Sequence, residues 1–279
     1  MSKVWFVTGS SRGLGRAFVE AALSRGDRVA ATARDTSRLD GLVAAHGGVV
    51  LPLALDVTDR AAVHEAVRRA AEHFGRLDVV VNNAGYGLFG AVEELGEREL
   101  RDQLETNLYG PLWVVQAALP RLRAQGGGHI VQISSVGGVT AMALGGGYHA
   151  SKWALEALSE SLAQEVAPFG IRVTLVEPGS FATDAMTSVV HAGADPLYQG
   201  LREQFAAFAK DLDAGDPAAA GRALLKIVDA ENPPLRVFFG GQGHELLTQV
   251  YADRLRTWEA WQDLAVEAHG HVPGGPDGR

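Results

Sequence analysis

The chain has 279 residues, 47% of them hydrophobic, and a formal net charge of −8. That length and apolar fraction suit one α/β domain with a sizeable core, and the acidic balance argues against a nucleic-acid partner, which needs basic surface. Cysteine is absent, which excludes disulfides and thiolate chemistry.

Val4 to Thr8 is a short apolar run that reads as a buried parallel strand. It enters a strand almost at the first residue, with no long apolar core and cleavage site, so no signal peptide is expected. No apolar run reaches the length of a membrane span, and a cytoplasmic location with no membrane partner is the expectation. After the strand come Gly9, Ser11, Arg12, Gly13, Leu14 and Gly15, and then an amphipathic helix to about Arg25. Strand, glycine turn and helix form the context in which a backbone approaches a pyrophosphate at a helix N-terminus. The spacing here is GxxxGxG, not GxGxxG.

Arg28 to Ala33 is the second strand. A site that prefers NAD carries an acid at this strand's end, to bind the ribose 2′-hydroxyl. Here the place holds Ala33 followed by Arg34, with Arg12 able to converge on it. Two guanidiniums suit a 2′-phosphate, which points to NADP(H), although Asp35 follows directly.

Val49 to Leu55 is the third strand and ends in Asp56-Val57, with Thr58 or Asp59 available to cap the next helix. Leu77 to Val81 is the fourth, ending in Asn82-Asn83-Ala84-Gly85 at the edge where a cofactor crevice opens. Glu97 to Arg123 reads as one helix with a kink at Gly110-Pro111, and Asn107 lies at that irregularity. His129 to Ser134 is the fifth strand and delivers Ser135; Ile171 to Val176 is the sixth; Leu235 to Phe239 is the seventh. Strands alternating with helices predict a Rossmann-type, doubly wound parallel sheet of about seven strands with helices on both faces.

Tyr148 and Lys152 stand at i and i+4 on the helix after Ser135, and therefore on one helical face. Any Tyr and Lys four apart on a helix is common. Only four of the 25 basic residues are lysine, however, so a lysine in this apolar stretch stands out. An ammonium near a phenol favours the phenolate, and a serine hydroxyl can hold a substrate oxygen. No His, Asp or Glu cluster has metal-ligand spacing, and no metal is expected. His149 points to another face of the helix and reads as structural.

Taken together, TGSSRGLG (Thr8 to Gly15), Asp56-Val57, NNAG (Asn82 to Gly85), Asn107 in ETN, Ser135, YHASK (Tyr148 to Lys152) and EPGSFAT (Glu177 to Thr183) resemble the short-chain dehydrogenase/reductase family. They occur in that family's order over roughly residues 3 to 184. The resemblance implies nicotinamide chemistry, with Tyr148 as proton donor or acceptor. Lys152 would lower the Tyr148 pKa and hold the nicotinamide ribose, and Ser135 would orient the substrate oxygen. Asn107 would hold a water in a relay through Lys152. Asp56 and Val57 would border the adenine, and Asn83, Ala84 and Gly85 the adenosine ribose. Pro178 and Gly179 would join the cofactor site, with Phe181 and Thr183 at the nicotinamide carboxamide.

The chain departs from the commonest family pattern after the seventh strand. A helix from His244 to roughly Val266 extends it, as in longer members that resemble 17β-hydroxysteroid and retinol dehydrogenases. This puts the usual tetramer in doubt and leaves a homodimer open. We expect a single domain over residues 1–266, with a lid over residues 184–215 that includes His191, and a disordered tail after residue 266. The expected reaction interconverts a ketone or aldehyde with an alcohol on a medium or bulky lipophilic substrate. An isomerase or epimerase using the same cofactor, and a cofactor-sensing regulator without turnover, are the alternatives.

Overall fold

The structure is a computed structural model that describes residues 2–183 and 189–270. The chain divides into two compact units, residues 1–240 and residues 241–279. In the first unit, β1 (Val4–Val7), α1 (Gly13–Ser24), β2 (Arg28–Ala33), α2 (Asp40–His46) and β3 (Val50–Ala54) come first. They are followed by α3 (Arg60–Phe74), β4 (Val79–Asn82), β5 (Leu88–Phe89), α4 (Glu97–Leu104) and α5 (Gly110–Ala124). Then come β6 (Gly128–Ile133), α6 (Gly146–Val166), β7 (Ile171–Pro178), β8 (Val190–His191), α7 (Gln199–Lys210), α8 (Pro217–Asp229) and β9 (Arg236–Phe239).

Seven strands form one sheet in the order β3-β2-β1-β4-β6-β7-β9, every pair parallel. Parallel strands buried on both faces need apolar residues at every position. β1 shows how they are used: Val4 and Phe6 enter one core, Trp5 and Val7 the other. The first core takes Val63 and Val67 of α3, Val114 and Leu122 of α5, and Leu162 of α6. The second takes Phe18 and Val19 of α1, Leu42 of α2, and Leu224 and Val228 of α8. The chain reverses direction across the sheet between β1 and β4, and a crevice at the carboxyl ends of the strands is expected there.

The seven strands lie where the sequence places them, to within a residue or two. Asp59, not Thr58, caps α3, its carboxylate accepting from the Ala62 amide at 2.9 Å. The kink expected at Gly110-Pro111 is a π turn over Glu105–Tyr109 between α4 and α5. Just after this turn, Gly110 lets the chain pack closely on Val57, since a Cβ there would lie 2.9 Å from Val57 Cγ2. One element runs against the sequence reading, which finds no strand pattern over residues 184–215: Val190–His191 forms β8 and pairs in parallel with Leu88–Phe89. A two-residue strand leaves no period to detect. The expected lid residues 184–188 and the expected tail residues 271–279 lie outside the described residues.

The second unit holds α9 (Gln242–Ala260) and α10 (Gln262–His269), separated at Trp261. Tyr251, Leu255 and Trp258 are exposed along α9. Among the described residues, no helix is long and apolar enough to cross a membrane.

Candidate active site

The glycine turn joins β1 to α1. Gly9 and Gly13 take φ of +68° and +58°, a region that side chains disfavour. Arg12 is the N-cap residue of α1 and makes no side-chain cap, so the first amides of α1 are left to another acceptor. Ser11 is half-buried, and Leu14 packs on the second core beneath the turn. Asn83 ties the end of β4 to this turn: its side-chain amide donates to the Thr8 carbonyl at 2.9 Å and the Gly9 carbonyl at 3.1 Å. The Thr8 hydroxyl accepts from the amides of Asn83 and Ala84 at 2.9 and 3.0 Å. A Cβ on Gly13 would lie 3.5 Å from Thr183 Cβ, so the turn faces the end of the Pro178–Thr183 segment. That segment is fixed by Gly179, which donates to the Phe239 carbonyl at 2.9 Å, and by a bridge between Phe181 and Gly215. A cradle of bare backbone, closed to side chains and backed by a helix N-terminus, fits a dinucleotide pyrophosphate.

At the end of β2, Ala33 is buried and Arg34 exposed. Asp35 turns away from this position to cap the following 3₁₀ turn, accepting from the Ser37 amide at 3.0 Å and hydroxyl at 2.8 Å. These bonds hold its carboxyl below the usual range. In the same turn the Arg38 carbonyl accepts from Arg16 at 3.3 Å, and the Arg38 guanidinium lies 4.0 Å from Asp35. Asp56 accepts from the Thr58 amide and hydroxyl within its own turn, and Val57 is buried against Gly110.

Ser135 follows β6 and caps the short 3₁₀ turn Val136–Gly138, accepting from the Gly137 amide at 3.0 Å. Its hydroxyl also lies 3.5 Å from the Pro178 carbonyl. Tyr148 and Lys152 project from one face of α6, with Lys152 Nζ 5.9 Å from the Tyr148 ring centre. The lysine is 6% exposed and donates to the Ile133 carbonyl at 2.8 Å. Burial pushes its ammonium down to about 8, against a raising effect from Glu156. Burial also pushes the Tyr148 phenol up, and a hydrogen bond from Ser135 offsets part of that rise. The direction differs from the lowered phenol expected of a neighbouring ammonium, because desolvation outweighs a charge that is itself weakened by burial.

Asn107 sits in the π turn. Its side-chain oxygen accepts from the Tyr86 amide at 3.1 Å; its side-chain amide donates to the Tyr86 carbonyl at 2.9 Å and to Ser151 at 3.1 Å. A Cβ on Gly85 would lie 3.0 Å from that oxygen and 3.7 Å from Lys152 Nζ, so Asn107 and Lys152 converge on one glycine. His149 is buried and fastens the turn before α6, with Nδ1 2.8 Å from the Gly137 carbonyl and Nε2 accepting from the Met142 amide at 3.2 Å. Four groups were given no role of their own in the sequence. Phe89 of β5 stacks on Tyr148 with centroids 6.0 Å apart, and Phe205 of α7 lies 5.2 Å from Phe89. Glu156 and Glu177 are buried behind Lys152. Glu156, one turn beyond Lys152, and Glu177, at the head of the EPGSFAT stretch, left a readable trace. Among the described residues, no cluster of three or more metal-ligating side chains forms.

The profile of the family described as short chain dehydrogenase matches residues 3–193. Oxidoreductase BOA17 of Botryotinia fuckeliana is 41% identical over 271 residues, covering 95% of this chain and 99% of that protein. A short-chain dehydrogenase structure from Streptomyces avermitilis superposes with a TM-score of 0.90 at 41% identity, covering 96% of this chain and 98% of that one. An alcohol dehydrogenase from Thermococcus sibiricus, complexed with 5-hydroxy-NADP, gives a TM-score of 0.73 at 28% identity, covering 86% and 96%. The chain belongs to the short-chain dehydrogenase family. Fold and family together define an NAD(P)-dependent oxidoreductase.

Proposed function

We propose that the protein is a cytoplasmic, NADP(H)-dependent reductase that converts a ketone or aldehyde of medium or large apolar bulk to an alcohol. The observation that carries this reading is that Tyr148 and Lys152 share one face of α6, with Lys152 Nζ 5.9 Å from the Tyr148 ring centre, and that Ser135 bonds the phenol. A protonated phenol is a general acid at neutral pH. Ser135 orients the carbonyl oxygen, and Tyr148 gives that oxygen its proton. NADPH, held by the glycine turn and the Asn83–Gly85 segment, would supply the hydride for the carbonyl carbon. Lys152 lies behind the phenol and stabilises the phenolate left by proton donation. Asn107 stands beside Lys152 at the far end of the path that returns a proton to Tyr148.

The glycine cradle, Asn83 to Gly85 and Thr183 would hold the dinucleotide. NADP is supported by the exposed Arg34 after Ala33 at the end of β2, by the engagement of Asp35 with Ser37, and by the NADP derivative bound to the Thermococcus sibiricus neighbour. The Phe89 and Phe205 rings support an apolar substrate.

The test is to follow NADPH absorbance while a panel of ketones and aldehydes is added. Net consumption with alcohol formation is the expected result. Product without net consumption would instead mean an isomerase, and binding without product a sensor.

A further inference from the structure

The side of the sheet beneath α6 carries a charge cluster that the chemistry above does not use. Lys152 and Glu156 stand at i and i+4 on α6, 6% and 5% exposed. Arg236 reaches them from β9. Its Nε lies 3.1 Å from Glu156 Oε2 and 3.7 Å from Glu177 Oε1, and its Nη2 lies 2.7 Å from Glu160 Oε2. Glu177, at the end of β7, is 1% exposed, whereas the Arg236 side chain keeps 35% exposure. The second oxygen of Glu156 and the facing oxygen of Glu177 have no hydrogen-bond partner in the protein. Gly138 makes room for the arrangement, since a Cβ there would meet Glu156 Cγ at 3.1 Å and Ser134 Oγ at 2.6 Å.

We propose that Glu156 is a positioning residue for Lys152, supplying the counter-charge of its ammonium, with Arg236 holding the Glu156 carboxylate in place. Resting as this does on Lys152 being the partner of Tyr148, it deepens the reading of the same site. A buried ammonium needs an opposing charge to stay protonated, and the buried carboxylate next along the same face is Glu156. Two buried carboxylates facing one guanidinium cannot both ionise freely. The charged groups facing the pair are Glu160 on α6, Glu177 on β7 and Arg236 on β9; β6 contributes the Ser134 hydroxyl, and Tyr148 lies one turn before Lys152. Burial and the Glu156 charge push Glu177 up to about 7, against Arg236. Burial raises Glu156 as well, against lowering by Ser134, Arg236 and Lys152. The cluster therefore changes charge near neutral pH, where the ammonium of Lys152 must be kept.

The chain has four lysines, Lys3, Lys152, Lys210 and Lys226, so a full-length sample labelled at lysine Cε gives few NMR signals. The Lys152 signal is the one lost in Lys152→Met. Its titration midpoint, expected near 8 in the parent, should fall by about one unit in Glu156→Gln. In Glu156→Asp, which keeps the carboxylate, it should stay close to the parent value. General loosening of the core would move both variants alike. An unmoved midpoint in Glu156→Gln overturns the role of Glu156, and an equal fall in Glu156→Asp overturns it as well, showing loosening and not lost charge. Should Glu156→Gln fail to fold, Glu156→Leu, which fills similar space without charge, takes its place, a fall supporting the role and an unmoved midpoint overturning it. The readout is a titration, so it stands or falls independently of whether Tyr148 proves to be the acid in turnover.

Discussion

Gly15 and Asn83 occupy space that a side chain on the first would take from the second. A Cβ on Gly15 would sit inside 3.0 Å of both the Asn83 amide nitrogen and the Gly9 carbonyl oxygen. The asparagine could swing aside, but the carbonyl belongs to the turn itself. Gly15→Ala is therefore expected to destabilise the fold by about 1–3 kcal/mol, the usual cost of overpacking. It should also weaken NADPH binding at least about tenfold, equivalent to about 1.4 kcal/mol of distorted cradle. Urea unfolding and NADPH fluorescence titration check the two effects; parent-like values in both would show that the cradle tolerates a methyl group.

Phe89 lies against the Tyr148 ring, with Phe205 against its other neighbourhood. Phe89→Ala removes a large apolar surface beside the Tyr148 ring. For bulky carbonyl compounds kcat/KM should fall by about 10- to 100-fold, since burying such a side chain is worth about 1.5–3 kcal/mol. Small carbonyl compounds, which cannot reach the wall, should be affected much less. Equal losses for small and bulky substrates would show that Phe89 only supports the Tyr148 ring.

The proposed preference for NADP(H) would rest on Ala33, Arg34 and Arg12. A hydrogen bond to a charged partner contributes about 1.5–3 kcal/mol net. Arg34→Ala should weaken NADPH binding about 10- to 100-fold and leave NADH nearly unchanged. Ala33→Asp should reverse the preference, offering NADH an acceptor and repelling the phosphate of NADPH. Titration of both cofactors against the three proteins is the check. Equal weakening of both cofactors in Arg34→Ala would mean that the arginine does not read the phosphate.

His129 gives a stability signature. It is 4% exposed, with Nε2 3.0 Å from the Thr174 hydroxyl and Nδ1 lacking a partner in the protein. Burial, helped by Arg172 and Lys3, pushes its ring down to about 4. The unfolded ring titrates near about 6.5. Between those values the unfolded chain binds more protons, so this group's contribution falls as pH drops from 6.5 towards 4. The loss is on the order of 2 kcal/mol between about pH 7 and about pH 5. Glu177 acts in the opposite sense over part of that window, because a raised carboxyl binds its proton in the folded state. Comparing the parent with His129→Asn by urea unfolding at both pH values isolates the histidine. The variant should lose less stability on acidification, and an identical pH dependence would contradict the assignment.

Much of the fold was legible because buried parallel strands are continuous apolar runs punctuated by glycine turns, as at Val4–Val7 and Arg28–Ala33. The Tyr148 and Lys152 pair was legible because helical spacing dictates a shared face. The Phe89 wall was not, since it depends on a two-residue strand paired about a hundred positions away. The direction of the Tyr148 shift was not either: spacing reveals a neighbouring charge but not the depth at which both groups are buried. Glu177 looked like part of a motif, and only the fold places it beside Glu156 and Arg236.

The proton donor is the centre of the reading, and Tyr148→Phe tests it most directly. The substitution keeps the ring beside Phe89 and removes only the hydroxyl, so fold and NADPH affinity should be retained. General acid catalysis is worth roughly 10²–10⁴-fold. The measurement is single-turnover NADPH oxidation with a carbonyl substrate accepted by the parent protein, alongside NADPH titration. The expected result is a rate lowered by at least about a hundredfold with cofactor binding intact; a rate close to that of the parent would contradict the assignment of Tyr148 as the acid.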